Sequence, residues 1–284
     1  MILVTGATGN VGKELIPQLL EAGEEVRVLV RDPRKVAHLG GSVERALGDL
    51  DNPDTLRAAM RGIDRLFFVT PVTQQVANLL EAAKQAGVKH VVKQSTIEAD
   101  RSLGPGKWHR EQEELIKAAG FAWTILRPTM MMVNTVEWWA ATIKLQSAVY
   151  FPGGKGKVPP VDPRDIAAVA STVLTYPEHH KGQIYELTGP EALTIGEMVH
   201  MLEKVLGKHI RYVNVPAFLA AIWLRRFGMS RELVKALTET LGALRKNEYA
   251  YVTDAVERVG RCQPRSFEMW CRENVGAFLA PDGR

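Results

Sequence analysis

The chain contains 284 residues, of which 46% are hydrophobic and 24% are charged, and its formal net charge is +4. This composition is typical of a globular enzyme, and the weak, evenly spread positive charge does not indicate a nucleic-acid partner. Met1 leads directly into an apolar strand pattern, and no apolar run approaches the roughly eighteen residues that suggest a membrane span. Cys262 and Cys271 lack metal-ligand spacing, so we expect reduced thiols, no metal site and a cytoplasmic protein without membrane contact.

The apolar run Ile2–Val4 predicts a strand, and a glycine-rich turn joins it to a predicted amphipathic helix. The turn has the pattern G-x-x-G-x-x-G, one residue longer at its first gap than the commonest dinucleotide fingerprint. Gly6 permits the turn, Gly9 allows a pyrophosphate to approach the backbone, and Gly12 lets the helix pack on the strand. Backbone N–H groups at the helix N-terminus would bind the phosphates. We therefore predict that a dinucleotide contacts Gly6, Thr8, Gly9, Asn10, Val11 and Gly12.

Strand and helix patterns alternate through the following part of the chain. The predicted strands cover residues 25–30, 43–47, 65–70, 90–94 and 122–126, and the predicted helices cover 53–60, 73–86 and 108–119. This alternation predicts an α/β fold with a doubly wound, Rossmann-like parallel sheet. In such a sheet the ligand lies beyond the carboxyl ends of the strands. The candidate cofactor contacts at those ends are Arg31, Asp49, Leu50, Thr70, Pro71, Ser95 and Pro128.

Arg31 follows the second predicted strand and discriminates between two cofactors. A carboxylate at this point accepts from the ribose 2′-hydroxyl of NAD, whereas an arginine suits the 2′-phosphate of NADP. We predict NADP(H), bound by Arg31 with Arg34 or Lys35 adding charge. NAD(H) is the alternative, because a shift of one residue would bring Asp32 to the ribose.

Asp49 and Thr70 follow the third and fourth predicted strands. The Asp49 carboxylate could accept from the adenine amino group, or it could cap the short helix that follows; we favour the adenine contact. Thr70 and Pro71 are expected to line the cofactor cleft with backbone groups.

The glycine motif, Arg31, the segment Gly48-Asp49-Leu50 and the run Trp123-Thr124-Ile125-Leu126-Arg127-Pro128 together resemble one family. Over nearly its full length the chain is similar to the NmrA-like branch of the atypical short-chain dehydrogenases/reductases. Within that branch it most resembles the triphenylmethane reductase and NADPH:quinone reductase group. The resemblance implies an NADP(H)-binding Rossmann domain over residues 1–150. It also implies a smaller, mainly helical α+β region over 151–284 that closes a substrate cleft within one compact unit.

The catalytic helix departs from the superfamily pattern. Typical members carry Tyr-x-x-x-Lys, whose tyrosine protonates a carbonyl oxygen. This sequence contains no Tyr-x-x-x-Lys, and alignment backwards from Trp123 places His109 and Glu113 at the two positions. Carbonyl reduction and sugar-nucleotide epimerisation are therefore disfavoured, whereas direct hydride transfer to a quinone, dye or polarised alkene is favoured.

Two residues are candidates for a catalytic role. His109 could protonate the product, because an imidazole titrates near the working pH range; the alternative is a surface residue near a helix start. Ser95 stands where the superfamily keeps a catalytic serine, or it only lines the nicotinamide pocket. Glu113 is expected to be a solvated or salt-bridged helix residue rather than a catalyst.

The substrate pocket is predicted to follow the sixth strand. Met130, Met131 and Trp138 are its candidate lining residues, because methionine and tryptophan form adaptable, flat-walled pockets. Adjacent helical residues point about 100° apart, so only one of Trp138 and Trp139 is expected to face the cleft. The loop 151–156 is expected to form a mobile lid.

Two functions therefore remain open. The first is an NADPH-dependent oxidoreductase that transfers a hydride to a conjugated small-molecule acceptor. The second, also implied by the resemblance, is a non-catalytic NADP-binding redox sensor that acts through a protein partner. The apolar run 217–223 could serve as an oligomer surface, which would allow a homodimer.

Overall fold

A seven-stranded sheet forms the centre of the computed structural model, which describes residues 1–279. In chain order the strands are β1 (Ile2–Val4), β2 (Val26–Val30), β3 (Val43–Leu47), β4 (Arg65–Phe68), β5 (His90–Gln94), β6 (Ala122–Pro128), β7 (Ala148–Phe151), β8 (Lys157–Val158), β9 (Gln183–Leu187), β10 (Leu193–Thr194) and β11 (Arg211–Asn214). The central sheet has the order β3-β2-β1-β4-β5-β6-β9, and every neighbouring pair in it is parallel. The strand order changes direction at β1, because β2 and β3 lie on one side of it and β4, β5, β6 and β9 lie on the other. Ligands bind beyond the carboxyl ends of the strands at such a point.

Helices cover both faces of this sheet. In chain order they are α1 (Gly12–Glu21), α2 (Pro53–Ala59), α3 (Thr73–Ala86), α4 (Gly106–Ala118), α5 (Asn134–Gln146), α6 (Pro163–Thr175), α7 (Ile195–Leu206), α8 (Ala217–Arg226), α9 (Arg231–Arg245), α10 (Ala255–Gly260) and α11 (Phe267–Glu273). Side chains alternate across a strand, so Val4 packs with α1, α6 and α10, and its neighbour Leu3 packs with α2, α3 and α4. The predicted Rossmann-like α/β fold with a doubly wound parallel sheet is confirmed.

The sheet extends beyond the residues that the sequence division assigned to it. β9 pairs with β6 along the edge, and α6 packs against α1. The sequence division at residue 150 assigns residues 163–187 to the second region, whereas α6 packs on the central sheet and β9 pairs with it. The physical reason is that β9 covers the edge of β6, whose backbone groups would otherwise lack partners.

The remaining C-terminal elements form a smaller α+β region. Its separate core is built from α5, α7 and α11 with β7, around the fully buried side chains of Trp139 and Phe267. α7 starts with the predicted capping box, in which Thr194 and Glu197 exchange side-chain-to-backbone hydrogen bonds. The predicted region runs to residue 284, and its last five positions, 280–284, lie outside the described residues.

The loop 151–156, expected to be a mobile lid, is held by contacts at Gly154 and Gly156. The Gly154 N–H donates to the Asn214 side chain at 3.0 Å, and Gly156 packs directly against the backbone of Leu244 in α9. The same helix contacts the sheet domain, because Glu239 accepts from the Gly104 N–H and pairs with Lys107 at 2.8 Å. α9 therefore bridges this loop and the start of α4. Within residues 1–279 no helix combines the length and the apolar character needed to cross a bilayer.

Candidate cofactor site and its polar network

The turn between β1 and α1 has a backbone that requires glycine. Gly6 adopts a φ of +66°, in the left-handed region that glycine favours. A Cβ at Gly12 would overlap the Gly6 carbonyl oxygen, and the Gly9 N–H donates to that oxygen at 2.8 Å. Gly6, Thr8 and Gly9 are exposed, so the turn presents its backbone at the carboxyl edge of the sheet.

The N-terminus of α1 is free to receive an anion. Its N-cap residue is Val11, preceded by the half-buried Asn10, and no side chain caps the helix. An uncapped N-terminus offers unpaired backbone N–H groups and the positive end of the helix dipole. Just before the turn, the buried Thr5 hydroxyl has no partner within the described residues. This arrangement fits the pyrophosphate of a dinucleotide.

Arg31 and Asp32, which follow β2, differ in how their side chains are engaged. The Asp32 carboxylate accepts from the Arg34 N–H at 3.0 Å and pairs with the Arg34 guanidinium at 2.9 Å. Both interactions lower the pKa of Asp32, and they cap the 3₁₀ turn that follows. Arg31 is exposed and has no ion pair among residues 1–279. Arg31 therefore carries a free positive charge, as does the exposed Lys35, whereas Arg34, expected to add charge toward the cofactor, is paired with Asp32.

Asp49 follows β3 and is not the cap of α2. That cap is Asn52, whose side chain accepts from the Asp54 N–H at 3.2 Å. One Asp49 carboxylate oxygen accepts from the Asp51 N–H at 3.1 Å, which leaves the second oxygen available to a ligand. The alternative interpretation of Asp49 as the helix cap is therefore wrong.

The segments after β3 and β4 are fastened to α3 by side chains. The Thr70 hydroxyl donates to Gln75 at 2.5 Å, and Asn78 donates to the Leu50 carbonyl at 2.8 Å. Thr70 is buried and the following Pro71 is exposed. The Thr70 side chain is thus committed to the protein interior.

A buried ion pair joins the ends of β5 and β6 to α4. Arg127 donates to both carboxylate oxygens of Glu113, at 3.1 and 2.7 Å, and to Asp100 at 3.1 Å. The Ser95 hydroxyl donates to Glu113 at 2.5 Å. Glu113 is completely buried, so it is salt-bridged rather than solvated. Because the Ser95 hydroxyl hydrogen is donated to Glu113, Ser95 can only accept any further hydrogen bond.

His109 lies one turn before Glu113 on α4 and contacts Lys93 of β5. The Lys93 Nζ is 3.3 Å from His109 Nδ1, and the Lys93 side chain is fully buried. Burial, and then the Lys93 charge, lower the pKa of His109 to about 3. His109 is therefore half-buried rather than fully exposed at the helix start, and its pKa is lowered away from the neutral range assumed for a proton donor.

Sequence reasoning missed Lys93, although one signal was present. Lys93 is the fourth residue of the predicted strand 90–94, and every residue of that strand is buried. A central parallel strand is covered on both faces, so a lysine within it must be buried.

The candidate substrate residues follow β6 and are only partly covered. Buried Pro128 ends the strand, and Met130 and Met131 are half-buried beyond it, where the Val161 N–H donates to the Met130 carbonyl at 3.0 Å. Trp138 is 44% exposed and stacks on Phe151 with 5.6 Å between ring centroids. Its neighbour Trp139 is fully buried in the C-terminal core. Only Trp138 of the two is therefore accessible.

Comparison with known proteins then decides the family. Residues 6–177 match the model of a family described as NAD(P)H-binding. The chain belongs to this NAD(P)H-binding family. It is 38% identical to the NAD(P)H azoreductase of Xenophilus azovorans over 287 aligned positions, which cover 99% of this chain and 100% of that protein.

Two solved structures are also similar. The NADPH complex of an Escherichia coli NADPH-dependent quinone oxidoreductase gives a TM-score of 0.86 at 25% identity, and the match covers 97% of this chain and 100% of that one. The NADP(H) complex of Citrobacter sp. triphenylmethane reductase gives a TM-score of 0.81 at 26% identity, with 96% and 99% covered. The resemblance to the quinone and triphenylmethane reductase group is confirmed, and so is the prediction of an NAD(P)H-dependent oxidoreductase.

Proposed function

We propose that this protein reduces a conjugated small-molecule acceptor, such as a quinone, an azo compound or a cationic dye, at the expense of NADPH. One observation carries the proposal: His109, which occupies the position of the superfamily tyrosine on α4, is not a ready proton donor. His109 is uncharged at neutral pH, and the Glu113 carboxylate is locked between Ser95 and Arg127. Acceptors that delocalise the charge they gain are the ones that such a site can reduce.

The proton balance of the reaction supports this class of acceptor. Bound NADPH supplies the hydride. A quinone that gains a hydride becomes a hydroquinone monoanion, which takes its proton from solvent, and a cationic dye that gains a hydride becomes neutral. An azo compound gains the hydride on one nitrogen and a solvent proton on the other, and it becomes a hydrazo compound. An isolated ketone would instead become an alkoxide and would need an acid in the site.

The chain's own groups bind the cofactor at two ends. Backbone N–H groups from Thr8 to Gly12 bind the pyrophosphate, and Arg31 binds the 2′-phosphate. The preference for NADPH over NADH rests on Arg31 together with Asp32, because the Asp32 carboxylate, the candidate acceptor for the ribose 2′-hydroxyl of NADH, is already paired with Arg34. At the nicotinamide end, Ser95 and Pro128 line the pocket, and Ser95 acts as an acceptor fixed by Glu113 rather than as an acid.

On the acceptor side, His109 donates a hydrogen bond from its neutral ring to the oxygen that becomes negative. A neutral imidazole can polarise a carbonyl in this way. Met130, Met131 and Trp138 form the apolar wall for a flat ring system. The azoreductase, quinone oxidoreductase and triphenylmethane reductase named above act on flat or conjugated compounds by their names, which supports the same class here.

The test is NADPH consumption against a panel of quinones, azo compounds, triphenylmethane dyes and simple ketones, with NADH measured in parallel. We expect turnover with the conjugated acceptors and NADPH, slow turnover with NADH, and none with the ketones. Equal rates with ketones would contradict the argument from the missing acid. Tight NADP binding without turnover of any acceptor would favour the redox sensor instead.

A further inference from the structure

Lys93 is buried without a counter-ion in contact. Its side chain is 0% exposed, and its Nζ donates to the Gln94 carbonyl at 3.1 Å and lies 5.5 Å from the centre of the Phe68 ring. No carboxylate lies within ion-pair distance of it among residues 1–279; its third neighbour is His109 Nδ1 at 3.3 Å. A lysine in this position costs the fold free energy, because its charge is removed from water without pairing.

The donor chemistry of this contact fixes the state of the ring. An ammonium group has hydrogens to donate and no lone pair to accept with. While Lys93 is charged, His109 Nδ1 must therefore accept, which places the single proton of the neutral ring on Nε2. Nε2 has no partner in the described chain and is not among its buried unsatisfied atoms, so it is open to solvent or to a ligand.

We infer that Lys93 is a positioning residue that holds His109 as the neutral tautomer with its proton on Nε2. The inference rests on the proposed function in one respect, namely that an N–H at Nε2 faces the acceptor. In the opposite tautomer Nε2 would carry a lone pair, which repels a developing oxyanion. The choice of tautomer therefore decides whether His109 assists or opposes hydride transfer.

In this chain the ammonium group and the carboxylate occupy different positions from those in the superfamily pattern. The helix position of the usual lysine carries Glu113, which is paired with Arg127, and the ammonium group comes from β5 instead. The ammonium group still acts on the residue at the tyrosine position, but it does so through a hydrogen bond to the ring nitrogen that faces the protein.

The charged groups around Lys93 define its pH behaviour. Burial lowers the pKa of Lys93 to about 7, against which the Glu113 charge on α4 acts in the raising direction. From β6, Arg127 faces Glu113, and beyond it lies Asp100; the buried face of α3 is apolar. Below this pKa the ammonium donates to His109, and above it the charge is lost while His109 stays neutral throughout.

The test is ¹⁵N NMR of the protein labelled on its histidine rings, recorded without cofactor and again with NADP⁺. The His109 signals are assigned by their loss in His109→Gln. At pH 6, below the pKa of Lys93, we expect a protonated Nε2 and an unprotonated Nδ1 in the wild type. A wild-type ring with its proton on Nδ1 would overturn the inference without any substitution.

Lys93→Met keeps the length of the side chain and removes its charge and its donors. We expect His109 to populate both tautomers and its pKa to move up toward the ordinary value, since the Lys93 charge no longer opposes ring protonation. We expect kcat to fall by about tenfold with KM for NADPH unchanged, and Lys93→Arg to restore part of both the tautomer and the rate. Lys89→Met removes an exposed lysine just before the same strand and should leave the His109 signals unchanged.

The outcomes separate this inference from the proposed function. A folded Lys93→Met protein with an unaltered His109 tautomer and pKa would refute the positioning role, even if the wild type reduces quinones. The expected NMR changes in a protein that reduces no acceptor would support the positioning role and refute the proposed function.

Discussion

The Ser95 hydroxyl and the Glu113 carboxylate are joined by a 2.5 Å hydrogen bond that ties the end of β5 to α4. Arg127 approaches the same carboxylate from β6, so three elements meet at one buried negative charge. The geometry of the carboxyl edge therefore depends on this charge. His109 is carried by the same helix, one turn away.

Glu113→Gln should destabilise the protein strongly. The substitution leaves the buried Arg127 with only the exposed Asp100 as a charged partner, and breaking a buried pair costs about 3 kcal/mol or more. Urea denaturation measures the loss. Glu114→Gln is the matched control, because Glu114 is the next residue and its ion pairs with Lys117 and Arg110 are at the surface. A control loss as large as that of Glu113→Gln would contradict the argument.

Arg31→Ala should reduce affinity for NADPH by about 10- to 100-fold, since hydrogen bonds to a charged phosphate are lost. Affinity for NADH should stay nearly constant, because NADH lacks that phosphate. Calorimetric titration with both cofactors measures the ratio. Arg61→Ala is the control, because Arg61 is an exposed arginine in the turn before β4, at the opposite edge of the sheet. Equal loss for both cofactors would mean that Arg31 does not contact the 2′-phosphate.

Gly12→Ala should abolish tight cofactor binding and lower stability by about 1–3 kcal/mol. The added methyl group would overlap the Gly6 carbonyl oxygen, which is backbone and cannot move aside as a flexible side chain can. Gly41→Ala is the control, because a Cβ there meets nothing within 4 Å. Thermal unfolding with and without NADP⁺ reads out both effects, and a Gly12→Ala protein that NADP⁺ stabilises as well as the wild type would refute the expectation.

Asp165→Asn should stabilise the protein at pH 8 and have little effect at pH 4. Burial raises the pKa of Asp165 to about 6 from an ordinary 3.8. Between these values the folded chain holds a proton that the unfolded chain has lost, so the wild type loses stability as the pH rises through 6. The asparagine oxygen can still accept from the Arg265 N–H and carries no charge to bury.

The gain should reach up to about 3 kcal/mol, measured as the difference in unfolding free energy between pH 4 and pH 8. Asp254→Asn removes an exposed carboxylate and should change stability by less than about 0.5 kcal/mol at either pH. A pH-independent effect of Asp165→Asn would show that folding does not raise the pKa of this carboxyl.

Trp139→Ala should mainly lower stability, whereas Trp138→Ala should mainly weaken the binding of the acceptor. Trp139 is fully buried, so its loss should cost about 3–5 kcal/mol of stability. Trp138 is accessible and stacks on Phe151, so its loss should cost about 1 kcal/mol and should raise KM for a flat acceptor. Unchanged acceptor kinetics in Trp138→Ala would remove Trp138 from the substrate wall.

The sequence was sufficient for the parts of the fold that depend on local periodicity. The strands Val43–Leu47 and His90–Gln94 and the helix Thr73–Ala86 have the predicted bounds, because apolar spacing and flanking turns mark both ends. The glycine turn could also be predicted from the sequence, since the backbone geometry requires glycine at positions 6 and 12.

Long-range contacts could not be inferred in the same way. The pairing of β9 with β6 joins segments separated by an excursion through the C-terminal region, so residue 150 looked like a boundary. The His109 pKa depends on burial by distant segments and on Lys93, neither of which is visible in the spacing of α4. The ion pair between Asp32 and Arg34 depends on the turn that the backbone adopts after β2, not on residue type alone.

The late arrival of β9 has a consequence for the order in which the chain can fold during synthesis. The β1–α1 turn and β2 are complete within the first thirty-one residues, yet the edge of β6 stays open until the ribosome has produced Leu187. α6, which packs against α1, emerges only shortly before that strand. A nascent chain halted before β9 would thus carry the glycine turn beside an unpaired strand edge, which is the kind of surface that chaperones bind.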